Sequence, residues 1–335
     1  MGKFLVTGAC GFTGSHAVDV LIEKGEDVRA TDLPGADRDF LRKGVEFVPA
    51  DLTSGQGLDK LVEGVEVIFH TAAVFSFSAT WTMLKTVNVE GTENLCRAAL
   101  DAGVRRIMSM STIAVYGRPR ASVVPLKEDN PKNPDTLYGR SKHEQDETLK
   151  KFCAEHGMQC TIIRPGVVYG QRNTYGAADL IFALNRLLFV PVPYNFDFIM
   201  PLVHARDVAG ATYHLCRRDD AAGEEYHVVD PTKMQVKFFI AFIAAIFGKP
   251  TVPVFIPKKL AVSAGNLAAD LATAVSQRLT HGKPFIEKDT VEYVTTNYDI
   301  SCEKLMDTGY EFEYPDTRTG IIETIEWYRK EGWLK

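Results

Sequence analysis

Tyr138 and Lys142 stand four residues apart in the run Tyr138-Gly139-Arg140-Ser141-Lys142. On a helix, positions i and i+4 share a face about one turn apart. An unperturbed phenol titrates near ~10, too high for a base at neutral pH. A neighbouring ammonium favours the phenolate, and each pKa unit is worth about 1.4 kcal/mol. The pair therefore reads as a tunable proton donor and acceptor. Upstream lies Ser109-Met110-Ser111-Thr112, at the end of an apolar run. A hydroxyl there could hydrogen-bond a substrate oxygen as charge develops on it. The competing use of any one of these hydroxyls is a loop or cap bond.

A second group could hold a cofactor. Gly8-Ala9-Cys10-Gly11-Phe12-Thr13-Gly14 follows the strand-like Phe4-Leu5-Val6 and opens a helical pattern. Glycines at such a turn let backbone N–H groups approach a pyrophosphate seated on the helix N-terminus. Asp32 ends the next strand-like run. A carboxylate there accepts bonds from a ribose 2′-hydroxyl and repels a 2′-phosphate, which favours NAD over NADP. Arg38 is the nearest downstream arginine. Asp51 and Leu52 could hold the edge and face of an adenine, although both Asp32 and Asp51 also suit strand-end turns. In His70-Thr71-Ala72-Ala73 the small residues leave room beside a dinucleotide, whereas His70 reads equally as a buried histidine bonded to backbone.

These residues need elements to position them. Strand-like runs fall at Phe4–Val6, Asp27–Thr31, Val45–Pro49, Val65–Phe69, Arg105–Met110 and Gln159–Ile163. Helical spacing covers Phe12–Lys24 and about 81–102 and 135–156, each closed by a glycine. Strands alternating with helices imply an α/β fold, a Rossmann-type doubly wound parallel sheet. Residues 1–170 are expected to form the dinucleotide-binding domain. Beyond about residue 170 the rhythm breaks at Pro191, Pro193, Pro201, Pro250, Pro253 and Pro257. Residues 171–335 then read mainly as a smaller, irregular substrate-binding lobe, with some segments returning to the sheet. Within it Phe238–Val275 is strongly apolar. Core helices are one reading of that run, and a lipophilic lid resting on a membrane surface is the other.

Bulk properties narrow the class. The chain has 335 residues, 45% hydrophobic and 24% charged, which is ordinary for a folded globular protein. Its net charge is −5 with no basic run, so nucleic acid is not an expected partner. Six cysteines include no C-x-x-C pair and read as buried thiols, and no metal site is expected. The N-terminus lacks the pattern of a signal peptide, and no run is long enough to span a bilayer, so a cytoplasmic location is the expectation, with membrane association under the lid reading.

With these residues in view, the chain resembles the extended short-chain dehydrogenase/reductases, the NAD-dependent epimerase/dehydratase superfamily. The resemblance covers roughly residues 3 to 210. It rests on Thr7-Gly8-x-x-Gly11-x-x-Gly14, Asn88-Val89-Glu90-Gly91-Thr92, Ser111-Thr112 with Val115-Tyr116-Gly117, Tyr138-x-x-x-Lys142, Arg164-Pro165-Gly166-Val167-Val168-Tyr169-Gly170, and Val203-His204-x-x-Asp207-Val208-Ala209. The resemblance implies catalytic roles for Thr112, Tyr138 and Lys142. It implies cofactor contacts for Gly8, Gly11, Phe12, Thr13, Gly14, Asp32, Asp51, Leu52, Thr71, Ala72, Ala73, Tyr138, Lys142 and Pro165. Asn88 is expected to be a structural helix residue beside the site. Similar proteins often pair through two long helices, so a homodimer is expected through 81–102 and 135–156.

Within the superfamily the chain looks most like the 3β-hydroxysteroid dehydrogenase and dihydroflavonol-reductase-like branch. Pro284-Phe285-Ile286 and Asn297-Tyr298-Asp299-Ile300-Ser301 resemble that branch's C-terminal segment. Nucleotide-sugar members usually carry Asn where this chain has Val167, and Val cannot donate a hydrogen bond to a phosphate. Together with the apolar Leu187–Tyr194 run, much of which reads equally as core, this favours a secondary alcohol or ketone on a small hydrophobic substrate. A nucleotide-sugar epimerase or dehydratase with tightly bound NAD is the alternative, and a non-catalytic NAD-binding regulator a more distant one.

Overall fold

The computed structural model describes residues 2–76, 79–119, 124–257 and 295–334, with isolated positions between 259 and 270. Six strands lie in the first half: β1 Lys3–Thr7, β2 Val28–Thr31, β3 Glu46–Phe47, β4 Val65–His70, β5 Arg106–Met110 and β6 Gln159–Pro165. They are followed by β7 Val167–Tyr169, β8 Val190–Pro193, β9 Leu202–His204, β10 Glu225–Val228 and β11 Thr251–Val254. The main sheet has the order β10-β6-β5-β4-β1-β2-β3, and all its pairs are parallel. Chain order reverses between β1 and β4. In such sheets that switch point opens a crevice at the carboxyl ends of the strands. The expected third strand, Val45–Pro49, contracts to two residues at the sheet edge.

Both faces are covered. On one, α1 Phe12–Glu23 buries Ala17, Val18, Val20 and Leu21, and packs with α7 Ala205–Cys216. On the other lie α2 Leu58–Val62, α4 Gly91–Asp101 and α5 Leu137–His156, around Leu61, Ile68, Leu95, Ile107, Leu149 and Ile162. The helix expected near 81–102 is not uniform. α3 Trp81–Leu84 passes through a π-helical turn, Lys85–Glu90, before α4 begins. Such widened turns often mark functional sites. This one carries Asn88, whose amide bonds both backbone groups of Val74 and the hydroxyl of Ser141 on α5.

The second half of the chain divides its contacts. β10 and α7 complete the main sheet's edge and face. A separate core gathers α6 Ala177–Arg186, α8 Val236–Ile246 and α10 Thr317–Lys330. The short α9 Glu303–Met306 lies against β10. Two small parallel ribbons, β7–β9 and β8–β11, complete this half. Of the apolar run beginning at Phe238, α8 buries Phe239, Ile240, Ile243 and Ala244. Residues 271–275 of the run, and Pro284-Phe285-Ile286, lie outside the described residues. Among the described residues no helix is long and apolar enough to cross a membrane.

One charged cluster ties the site-bearing elements together. Arg164, on β6 and without solvent exposure, donates to Asp146 of α5, equally buried, and to Ser111 Oγ at 2.8 Å. Ser111 Oγ donates in turn to Asp146 Oδ2 at 2.6 Å. Glu225 on β10 stands 2.8 Å from the same guanidinium, at ion-pair distance but off hydrogen-bond alignment. Breaking such a pair strands a charge without water, at a cost of about 3–5 kcal/mol. Arg164→Met is therefore expected to lower unfolding free energy by about that amount, measured by urea denaturation. A loss below about 1 kcal/mol would mean that the cluster does not hold α5 to the sheet.

Candidate active site

The glycine turn is shaped by its own packing. Gly8 has φ +65°, and a Cβ on Gly14 would lie 2.1 Å from the Gly8 carbonyl oxygen. Only bare glycines let the start of α1 fold this tightly onto the end of β1. α1 has no side-chain cap, so its first-turn N–H groups face the crevice beside Gly11, Phe12, Thr13 and Gly14. Asp32 Oδ2 accepts from Cys10 N at 3.0 Å and Oδ1 from Leu33 N at 2.8 Å. The carboxylate both walls the crevice and clips the glycine turn. Asp51 Oδ1 accepts from Thr53 N at 2.9 Å and Thr53 Oγ1 at 2.7 Å, the strand-end turn of its alternative reading, while also lining the crevice.

These walls enclose a cavity of about 680 Å³. Every residue expected to bind cofactor or act on substrate lines it: Gly8, Gly11, Phe12, Thr13, Gly14, Asp32, Asp51, Leu52, Thr71, Ala72, Ala73, Thr112, Tyr138, Lys142 and Pro165. His70 does not. It is buried between Thr7 Oγ1 and Thr92 Oγ1, each at 2.8 Å, and burial pulls its pKa down to about 3. It is a neutral strut between β1, β4 and α4.

At the other end of the cavity, Thr136 caps α5 by accepting from Gly139 N at 3.0 Å. This sets Tyr138 in the helix's first turn, with Lys142 one turn on. A Cβ on Gly139 would meet the Ala114 carbonyl oxygen at 2.6 Å, so the glycine lets α5 close on the 3₁₀ turn Ile113–Tyr116. Lys142 Nζ donates to Met110 O and Gln145 Oε1, both at 2.6 Å, which leaves one of its three protons. Burial pulls its pKa down to about 8, with nearby Asp146 opposing and Arg164 reinforcing the shift.

The hydroxyls before α5 divide the work. Ser109 Oγ accepts from Gln145 Nε2, and Ser111 belongs to the Arg164–Asp146 cluster. Thr112 Oγ1 accepts from Ala114 N at 3.1 Å, so the cap use applies. That bond fixes the oxygen and leaves its own proton to be donated into the cavity.

Some of the surroundings are not apparent from motif reading. Phe75 stands edge-on to the Tyr138 ring, centroids 5.0 Å apart at 87°. Its ring also meets Tyr175 at 5.0 Å, and Tyr175 meets Phe12 at 6.0 Å. A chain of aromatic rings thus runs from the glycine turn to Tyr138. Gln145 and Asp146 lie three and four residues beyond Lys142, a spacing that places them beside it on one helix face. By contrast, the apolar Leu187–Tyr194 run does not line the cavity. Among the described residues no three His, Cys, Asp or Glu side chains gather as metal ligands.

Comparison with known proteins fits this geometry. A profile described as the NAD dependent epimerase/dehydratase family matches residues 4–229. A 3-beta-hydroxysteroid dehydrogenase of Mycolicibacterium neoaurum is 32% identical over 98% of this chain and 92% of its own length. A UDP-glucose 4-epimerase of Mycolicibacterium smegmatis is 31% identical over 77% of this chain and 87% of its own. A crystal structure of UDP-glucose 4-epimerase with UDP-glucose from Thermotoga maritima superposes with a TM-score of 0.78 at 23% identity, covering 98% and 99% of the two chains.

The buried lysine has a consequence for stability. Its pKa falls from 10.5 to about 8 on folding, so between those values the unfolded chain binds more protons and stability rises with pH. Relative to a Lys142→Met variant, the native protein is expected to gain about 3 kcal/mol between pH 8 and 10.5. Paired denaturant titrations across that range check it. Parallel profiles would show that the ammonium is not desolvated.

Proposed function

The chain belongs to the NAD dependent epimerase/dehydratase family, enzymes that act with NAD on carbons bearing a hydroxyl, and from that premise we propose that it interconverts a secondary alcohol and a ketone on a hydrophobic, sterol-like skeleton. The charge of the cavity wall carries this choice. Among the described residues lining it, Lys142 is the one cation, and its ammonium is already bonded to Met110 and Gln145. The other charged linings are the carboxylates Asp32, Asp51 and Asp179. A nucleotide sugar would bring a second diphosphate, which needs cations or aligned donors of its own. Besides neutral hydroxyls such as Thr174, the wall offers Val87, Val167, Leu180, Met200 and Phe75. The end-to-end match to a 3-beta-hydroxysteroid dehydrogenase supports the same reading.

NAD suits the residues present. The turn that a Cβ on Gly14 would fill, the uncapped start of α1 and the Asp32 carboxylate suit pyrophosphate and ribose, with Asp51, Leu52, Thr71, Ala72 and Ala73 along the adenosine and Pro165 toward the nicotinamide. When bound, NAD supplies the hydride acceptor and donor. Tyr138 Oη takes the proton from the alcohol, or returns it to the ketone oxygen. Lys142 stays mostly protonated at pH 7, holds ribose hydroxyls, and its charge favours the phenolate. Thr112 donates to the substrate oxygen and orients it. Residues 1–170 act as the dinucleotide-binding domain and 171–335 mainly as the substrate lobe. Two copies pair through the helical stretch 81–101 and α5.

The same Tyr, Lys and cofactor also serve a nucleotide-sugar epimerase or dehydratase. That second reading is favoured by the 31% identity to a UDP-glucose 4-epimerase.

Asp32 is expected to make kcat/KM higher with NAD than with NADP, because a 2′-phosphate would meet a carboxylate already fixed by two N–H groups. Equal or better use of NADP would contradict that role. The substrate assignment is checked with a panel of sterols, flavonols, hydroxyacyl thioesters and UDP- and dTDP-sugars, read by reduced-nicotinamide absorbance and by product analysis. Turnover is expected on lipophilic alcohols or ketones, with Tyr138→Phe lowering kcat by about 10²–10⁴ while NAD still binds. Turnover of UDP-sugars alone would establish the epimerase reading.

A further inference from the structure

Among the described residues, six exposed large apolar side chains lie on or beside the β8–β11 ribbon, and none of the six lines the cavity. At one end of the β8–β11 ribbon, Leu188 is 91% and Phe189 55% exposed. At the other, Phe255 is 62% and Tyr194 54% exposed, their rings 5.9 Å apart. Val252 lies between them. The surface is continuous. Pro191 pairs with Val252 and Pro193 with Val254, and Asn195 clasps Ile256 through both its amide groups. The same turn reaches α8, where Phe238 is exposed beside Lys237. β11 departs from ordinary strand behaviour: Thr251, Val252 and Pro253 are all exposed, although the strand is mainly apolar. A half-buried strand would alternate.

Charge separates this face from the rest of the molecule. Among the described residues, segments 186–194 and 249–260 contain Arg186, Lys249 and Lys259 and no carboxylate, in a chain of net charge −5, and at the α8 edge Lys237 pairs with exposed Asp197. Apolar and aromatic side chains edged by cations are the composition of a surface that sits in a lipid headgroup region. The prolines argue against a strand partner. Pro191, Pro193 and Pro253 lack N–H groups, which blunts edge-to-edge pairing with another chain.

We propose that the β8–β11 ribbon, with Leu188, Phe189, Tyr194, Phe238 and Phe255, docks this protein peripherally on an anionic phospholipid surface. α6 connects that face to the cavity. It begins at Ala177, which lines the cavity, and ends at Arg186, about 15 Å along the helix axis. An apolar compound dissolved in the bilayer would therefore lie within one helix length of the cavity.

The test is vesicle flotation of the full-length protein, with vesicles of phosphatidylcholine alone and of phosphatidylcholine mixed with phosphatidylglycerol. Binding is expected to be at least about tenfold tighter to the anionic vesicles and to weaken with added salt. Leu188→Ser/Phe189→Ser/Phe255→Ser together should abolish it without changing Tm or NAD binding, because these side chains are outside both core and cavity. Lys249→Glu/Lys259→Glu should remove the preference for anionic lipid. No flotation with either composition, flotation equally strong in the triple variant, or an exposed face that instead joins two copies and turns monomeric in the triple variant would each overturn the proposal. Flotation is read without turnover, so its failure leaves the substrate assignment standing, and failure of the substrate panel leaves flotation standing.

Discussion

A guanidinium with no access to water persists only where opposite charge and hydrogen bonds replace its hydration. Arg164 meets that demand at Nη1, which binds Asp146 and Ser111 in the interior, and by charge at Nη2, where Glu225 stands alongside. Those partners lie on α5, on the segment after β5, and on the edge strand β10. The cluster thereby fixes the distance between the helix that carries Tyr138 and Lys142 and the strand end that carries Thr112. It also sets the electrostatics of the neighbouring ammonium. Asp146 partly offsets the desolvation of Lys142, while Arg164 adds to it, and the lysine is left near the middle of the useful pH range. A site that needs a soft ammonium beside a phenol thus obtains it from burial against a fixed pair of charges.

At the cofactor end the constraint is steric. Gly14 lies against the Gly8 carbonyl, and Gly8 against the backbone at Ala72, so strand, turn and helix converge where a side chain would not fit. Asp32 then does two things at once. Its carboxylate takes the N–H of Cys10, which stiffens the turn, and it faces the space where a ribose would lie. Binding and folding are coupled there through a single group, because the negative charge that would choose the cofactor is already held by backbone donors.

The substrate side follows a different physical rule. Apart from Lys142 the described wall has carboxylates, hydroxyls and apolar groups, and its aromatic members make a continuous path from Phe12 through Tyr175 and Phe75 to Tyr138. Such a wall gains by excluding water from an uncharged skeleton and gains little from a phosphate. The apolar character continues in the second half of the chain but is split in two directions. Phe239, Ile240 and Ile243 turn inward to the lobe's core, whereas Leu188, Phe189 and Phe255 face outward.

Local patterns were enough to determine much of this protein. The strand-and-helix alternation specified the parallel sheet, because buried strands and amphipathic helices have distinct periods. The glycine spacing, Asp32 and the Tyr138–Lys142 pair specified the two ends of one cavity, because a strand end, a turn and one helix turn are all short-range geometry. What the sequence did not disclose depends on long-range placement. Local pattern allows a cap use for Thr112 and a buried His70 but decides neither, and it does not name Thr7 and Thr92 as the partners of that histidine. Nor does anything local say that the helix near 81–101 widens around Asn88 to reach Val74 and Ser141. The apolar run at Leu187–Tyr194 divides between Val190 and Pro193, which are buried, and Leu188, Phe189 and Tyr194, which lie exposed on an outer ribbon, since hydrophobicity reports preference for burial and not which surface will be buried. Arg164, Phe75 and Tyr175 acquire their places beside Lys142 and Tyr138 only when β6, α5 and two separate loops are brought together. Their contacts join residues far apart in the chain, and only the tertiary structure can specify contacts of that kind.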